Sequence, residues 1–139
     1  MLGDTGTELL HDAACSVLLV CPADDGVWQP RKIVVGLDGS SYAQDALATA
    51  DEIAACHRGT VEVVSATWGE AADPDAEWAK RVQSWDYADP VQALVTRSKS
   101  ADLIVVGSRG TRGVEALGSV SERVAHEAQC TALIVHARR

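Results

Sequence analysis

The sequence is short of basic charge: 12 Lys and Arg stand against 20 Asp and Glu, a formal net charge of −8. A duplex nucleic-acid partner needs a basic face, so that class of function is excluded. No run of eighteen apolar residues occurs, which excludes a spanning helix. The first residues carry acids where a secretory signal would carry bases, so "MLGDTGTELLHDAACSVLLVCP" is not read as a leader, and a cytoplasmic location is expected. The four cysteines, Cys15, Cys21, Cys56 and Cys130, include no C-x-x-C pair and are expected to be reduced and buried. His11/Cys15 and His126/Cys130 have i, i+4 spacing, but no third or fourth ligand accompanies them, so no metal site is expected. No nucleophile stands beside a base and an orienting group, and no catalytic residue is expected.

What is present is a mid-sized chain of 139 residues, 47% of them hydrophobic, enough for one domain with its own core. Four apolar runs rich in Val and Ile, at 32–37, 60–66, 102–107 and 131–136, are apolar at successive positions. That pattern suits strands buried on both faces of a parallel sheet. Residues 81–84, "RVQS", form a weaker fifth candidate.

Between these runs the apolar spacing turns helical. Ala43, Ala46, Leu47, Ala50, Ile53 and Ala54 follow Ser40 or Ser41 as cap. Val91, Leu94 and Val95 follow Pro90, and Val120, Val124 and Ala128 follow a Ser119–Glu122 capping box. Strands alternating with helices predict an open α/β sheet with right-handed crossovers.

Residues 1–21 stand outside that scheme, joined to it by a linker at 22–31. Aligned from Leu2 and from Leu117, two twenty-residue stretches share seven identities, among them His11/His126, Cys15/Cys130 and Val20/Val135. This is an internal repeat: the chain opens on a helix and strand that match those near its end. An edge left open by that strand predicts pairing with another chain, hence a homodimer through the last or the N-terminal strand.

Ligands of open α/β sheets bind beyond the carboxyl ends of the strands. Two such exits carry loop chemistry: "GLDGSS" from Gly36, and "GSRGTRGVEALGSVS" from Gly107. Glycine lets main-chain N–H groups approach a ligand, and a helix starting at Ser119 adds more of them with the positive end of its dipole. Arg109 and Arg112 add charge. The spacing is neither that of a Walker A loop nor the dinucleotide fingerprint G-x-G-x-x-G. Asp38 could hold a ribose or magnesium, or cap its own turn. The tryptophans are expected to cover a thin face, and "DPDAEW" to be a solvated loop.

Residues 32–139, through "KIVVGLDGS", "DPVQALV", "ADLIVVGSRG" and "LGSVSERVAHEAQCTALIV", resemble a universal stress protein domain. The repeat extends the likeness to residues 2–21, as in a tandem form lacking most of its first domain; the family pairs the last strands of two copies antiparallel, so the resemblance implies that residues 16–20 lie along 132–136. The resemblance implies a parallel sheet of order 3-2-1-4-5 with flanking helices, and a regulatory, non-enzymatic role in stress response. It also implies an ATP site, with Mg²⁺ as a candidate companion. Its glycine pattern falls on Gly107, Gly110, Gly118 and Ser119. By the same likeness Gly36 and Asp38 lie near ribose and phosphate, Val63 or Val64 near adenine, and Arg109, Val120 and Ser121 beside the phosphates. Seven residues separate Gly110 from Gly118 where the family has nine, which predicts a narrower cradle. The same domain without nucleotide, acting as an interaction module, is the alternative expectation.

Overall fold

The computed structural model describes residues 3–22, 27–66, 75–86, 89–108 and 119–136. In chain order the elements are α1 (Asp4–Asp12), β1 (Val17–Leu19), β2 (Lys32–Gly36), α2 (Ser41–His57), β3 (Thr60–Ala66), a 3-10 turn (Glu77–Arg81), β4 (Ser84–Asp86), α3 (Pro90–Ser98), β5 (Leu103–Gly107), α4 (Ser119–Glu127) and β6 (Thr131–Val135). They form one six-stranded sheet of order β1-β6-β5-β2-β3-β4. The five strands from β2 to β6 are parallel and run in the expected order, and β1 is antiparallel on β6.

The continuous apolar runs have the expected cause: both faces of the sheet are covered. On one face Ile33, Val35, Val63, Leu103 and Val105 pack against Ala43, Ala46, Leu47 and Ala50 of α2. On the other, Val34, Val64, Ile104, Val106 and Ile134 meet Val91 and Leu94 of α3, Val124 of α4 and Leu10 of α1. Every residue of β5 is buried. Burying one Val, Leu or Ile side chain contributes about 1.5–3 kcal/mol, so this double layer is the main source of stability.

Local signals set the helix starts. Ser40, not Ser41, caps α2, its Oγ accepting the Ala43 N–H at 3.1 Å. Asp89 caps α3 through the Val91 N–H at 2.9 Å, with Pro90 in the first turn.

The Glu122 carboxylate pairs with His11 Nε2 of α1 at 3.0 Å. Three expectations need correction. The weak strand lies at Ser84–Asp86 rather than 81–84, because Arg81 ends the 3-10 turn and forms a two-pronged pair with Asp51, 3.0 Å on each arm. The cysteines are all free thiols, yet Cys15, Cys21 and Cys56 are exposed and only Cys130 is half-buried. They sit at element ends, where the chain meets water. Lastly, β1 occupies the outer edge of β6, so a dimer through the last strand finds that edge taken within the chain. No helix among the described residues is long and apolar enough to cross a membrane.

Candidate functional site

β2 and β5 are parallel neighbours with Ile33, Val34 and Val35 opposite Leu103, Ile104 and Val105, so their carboxyl ends open side by side. β3 leaves β2 on the other flank. The chain order therefore reverses between β2 and β5, at the switch point where open α/β sheets bind ligands. The capped start of α2 stands at the same end, bringing the positive end of its dipole.

The residues expected at this end divide into three groups. Gly36, Asp38, Gly107, Val120 and Ser121 converge on it. Gly36 closes β2 and is half-buried. Asp38 is exposed, and its Oδ1 accepts the Ser40 N–H at 2.9 Å, so the carboxylate braces the turn that leads into α2. Gly107 ends β5 against α2: a Cβ there would lie 2.7 Å from the Tyr42 carbonyl carbon and 3.0 Å from the Ala43 nitrogen. Ser121 is buried and donates its hydroxyl to the Gly107 carbonyl, tying α4 to the strand exit. Val120, half-buried, packs with the α3 face of the core.

The apolar candidates form the second group. Val63 faces α2 and Val64 faces α3, both buried. The main chain of Val63 is held twice by Gln83, whose N–H donates to its carbonyl at 2.9 Å and whose Oε1 accepts its N–H at 3.1 Å. The third group, Arg109, Gly110, Arg112 and Gly118, lies outside the described residues; Ser119 opens α4.

The tryptophans are expected to cover a thin face, and Trp78, although it ends the "DPDAEW" run expected to be a solvated loop, is half-buried against Gly39 and pairs with Trp85 at a 6.0 Å centroid separation. Two features escaped sequence reasoning. Gly39 has φ +86°, and a Cβ there would also meet the Trp78 ring at 2.9 Å. A glycine in a D-G-S turn is signal enough for the backbone, but nothing in sequence reports the ring above it. Ser65, at the carboxyl end of β3, is buried with no hydrogen-bond partner for its Oγ among the described residues. The N–H groups first past the strands are already engaged: Leu37 donates to Val64 O and Ser108 to Val135 O, each at 2.9 Å. Among the described residues no three His, Cys, Asp or Glu side chains gather closely enough to hold a metal ion.

A parallel sheet whose switch point carries a turn, a capped helix start and a strand exit tied to α4 defines an open α/β domain with helices on both faces. Residues 69–136 match the universal stress protein family. A universal stress protein of Mycolicibacterium smegmatis is 32% identical over 99% of this chain and 57% of its own length, and one of Mycobacterium tuberculosis is 30% identical over 96% and 55%. The chain thus spans somewhat over half the length of these curated relatives. A universal stress protein solved in complex with cAMP is 30% identical, covers 79% of this chain and 99% of its own, and superimposes with a TM-score of 0.62. A longer universal stress protein from Archaeoglobus fulgidus, 22% identical, shares the fold over 98% of this chain and 56% of its own at a TM-score of 0.79. This chain belongs to the universal stress protein family.

Proposed function

We propose that the chain is a regulatory module that binds an adenine nucleotide, ATP with Mg²⁺, beyond the carboxyl ends of β2 and β5. The observation that carries this reading is the meeting of those two exits with the start of α2 and with Ser121 of α4 at one end of the sheet. Two further points support it. A 30% identical relative was solved with cAMP, also an adenine nucleotide. The unpartnered Ser65 hydroxyl at the adjacent strand end is a buried group suited to a ligand hydrogen bond. In this reading Asp38 faces the ribose, and the main chain beyond Ser108 and around Ser119–Ser121 faces the phosphates. In this reading the module senses nucleotide rather than turning it over, and the Asp38 carboxylate braces its own turn through the Ser40 N–H.

Calorimetry and thermal shift with Mg-ATP and with cAMP test this. A ligand at 1 mM with a dissociation constant near 10 μM stabilises the fold by about 2.7 kcal/mol, which raises the melting temperature by about 8–10 °C. No heat and no shift with either nucleotide at millimolar concentration overturns it. Such a result favours the second reading, an interaction module without nucleotide. Two observations favour that reading: Trp78 lies against Gly39, and the Ser108 N–H is engaged by Val135.

A further inference from the structure

Strand register brings two of the four thiols face to face. The observed pairs run Val17 with Ile134, Leu18 with Leu133 and Leu19 with Ala132. Two further steps of that register set Cys21 opposite Cys130. Side chains along a strand alternate between faces. Val17 and Leu19 pack on the cluster beneath α3 and α4, and so do Ile134 and Cys130. Cys21, two places past Leu19, therefore lies on the same face as Cys130, its neighbour across the strands.

The hydrogen bonds of Cys21 fit that placement. Its N–H donates to Thr131 Oγ1 at 3.1 Å, and its thiol donates to the Gln129 carbonyl at 3.8 Å. The two acceptors are the residues on either side of Cys130. At the other end of β1 the His136 N–H donates to Ser16 Oγ, also at 3.1 Å, so the strand is pinned at both ends. Facing Cα atoms of antiparallel strands stand roughly 4.5–5.5 Å apart, inside the range of about 4.4–6.8 Å that a disulfide spans.

The two thiols differ in their surroundings. Cys21 is exposed and Cys130 half-buried, and both are free. Burial first, then the charges of Cys21 and Asp102, push the Cys130 thiol up to about 11. Cys21 is thus the sulfur that a solute reaches first, with Cys130 beside it.

We propose that Cys21 and Cys130 form a dithiol site that takes small-molecule disulfides as substrate and, once oxidised, locks β1 to β6. The Cys21 thiolate attacks one sulfur of the small disulfide. That S–S bond breaks, a mixed disulfide forms on Cys21, and one small thiolate leaves. The Cys130 sulfur, losing its proton, then attacks the Cys21 sulfur. The bond between the strands forms and the second small thiolate leaves. The two protons lost by the cysteines are regained by the two small thiols, and two electrons pass from the protein to the small disulfide. The register makes the second step intramolecular, which offsets the low thiolate fraction of Cys130. The new bond closes a loop of about 110 residues, long enough for the cross-link to constrain the unfolded chain strongly.

The test uses the chain with Cys15→Ser and Cys56→Ser, since those two thiols are exposed and would react on their own account. It is incubated with oxidised glutathione and read by intact mass and peptide mapping. The expected product carries no glutathione, has a Cys21–Cys130 bridge, and melts about 10 °C or more higher than the reduced chain. Adding Cys130→Ser is expected to trap one glutathione on Cys21 with no such rise. Adding Cys21→Ser is expected to slow labelling by about tenfold or more, because only the half-buried thiol is left. The equilibrium constant for closing the bridge is expected to be about a hundredfold or more larger in the folded chain than in concentrated urea. If the serine changes unsettle the fold, the chain with all four cysteines is mapped instead, and the same bridge is expected. Glutathione accumulating on both Cys21 and Cys130, a bridge between two chains, or a closing constant no larger folded than unfolded overturns the proposal.

Discussion

Gly107→Ala separates a packing glycine from a ligand-binding one. The added Cβ would lie 2.7 Å from the Tyr42 carbonyl carbon, 2.8 Å from its oxygen and 3.0 Å from the Ala43 nitrogen. All three are backbone atoms of the first turn of α2, so no side chain can rotate away. The end of β5 and the start of α2 must part by about 0.5–1 Å to restore ordinary contact distances. That movement loosens Val105 against Ala43 and Ala46 and strains the Ser108–Val135 hydrogen bond. Overpacking of this kind costs about 1–3 kcal/mol. With an unfolding entropy of about 2.1 cal/mol/K per residue, a chain of this length loses about 3–4 °C of melting temperature per kcal/mol. The expected fall is therefore about 4–10 °C in a circular-dichroism melt. Gly36→Ala is the comparator: its Cβ would meet the tip of Leu94 at 3.0 Å, a rotatable group, so less than half that fall is expected. A Gly107→Ala protein melting within 1 °C of the parent, or a Gly36→Ala protein equally damaged, refutes the reasoning. Loss of nucleotide binding at unchanged stability would instead mean that the glycine is there to let a ligand approach.

Trp78→Ala removes a half-buried ring from Gly39 and Trp85 and is expected to cost about 1–3 kcal/mol, read as a lower urea midpoint; an unchanged midpoint means that the ring only rests on the surface. Burial, the Cys21 thiol and Asp102 push the Cys130 thiol up to about 11 from its ordinary 9.0, so at pH 8 its thiolate fraction is about a hundredfold lower and iodoacetamide should label it last. In the unfolded chain that thiol loses its proton at lower pH than in the fold, so stability falls as pH rises from about 9 to 11, and Cys130→Ala should flatten that fall in urea midpoints. Continuing the β1–β6 ladder two places past Leu19 and Ala132 sets Cys21 opposite Cys130, within the roughly 4.5–5.5 Å that a disulfide can span. Diamide should therefore join Cys21 to Cys130 in peptide mass maps, whereas a bridge from Cys15 to Cys130 contradicts the register.

The sheet was legible because a strand buried on both faces has no polar alternation to disguise it. "LIVVG" and "KIVVG" each carry that signature without help from a partner. The third strand of the parallel set was misplaced because Ser84–Asp86 is half-buried and holds its place by pairing with Val64, Ser65 and Ala66, a contact across the fold. Glu122 has capping-box spacing, and a histidine 111 residues away pairs with its carboxylate. Local rules state what a residue can do nearby, and long-range geometry decides which option is realised. The antiparallel placement of the N-terminal strand was legible through the family resemblance: the repeat marks residues 16–20 as a copy of the last strand, and the likeness, not propensity, supplies its pairing with β6.

The glycines of the site show where such reading stops. A glycine after a buried strand signals close backbone approach, but not what approaches. At Gly107 the approaching atoms belong to α2, and at Gly39 to Trp78. The first amides past β2 and β5 pair with Val64 and Val135, so a phosphate cradle, if the chain forms one, must begin beyond Ser108. Counting glycines thus assigns to a ligand positions that packing already explains. The site-specific evidence moves to what packing leaves unexplained: the Ser65 hydroxyl buried without a partner at the end of β3. If a nucleotide meets that hydroxyl, Ser65→Ala should weaken binding by about five- to tenfold, the worth of one hydrogen bond of about 1–1.5 kcal/mol, without lowering stability. If affinity is unchanged and the protein becomes more stable, the hydroxyl is merely a buried polar group and plays no part in recognition.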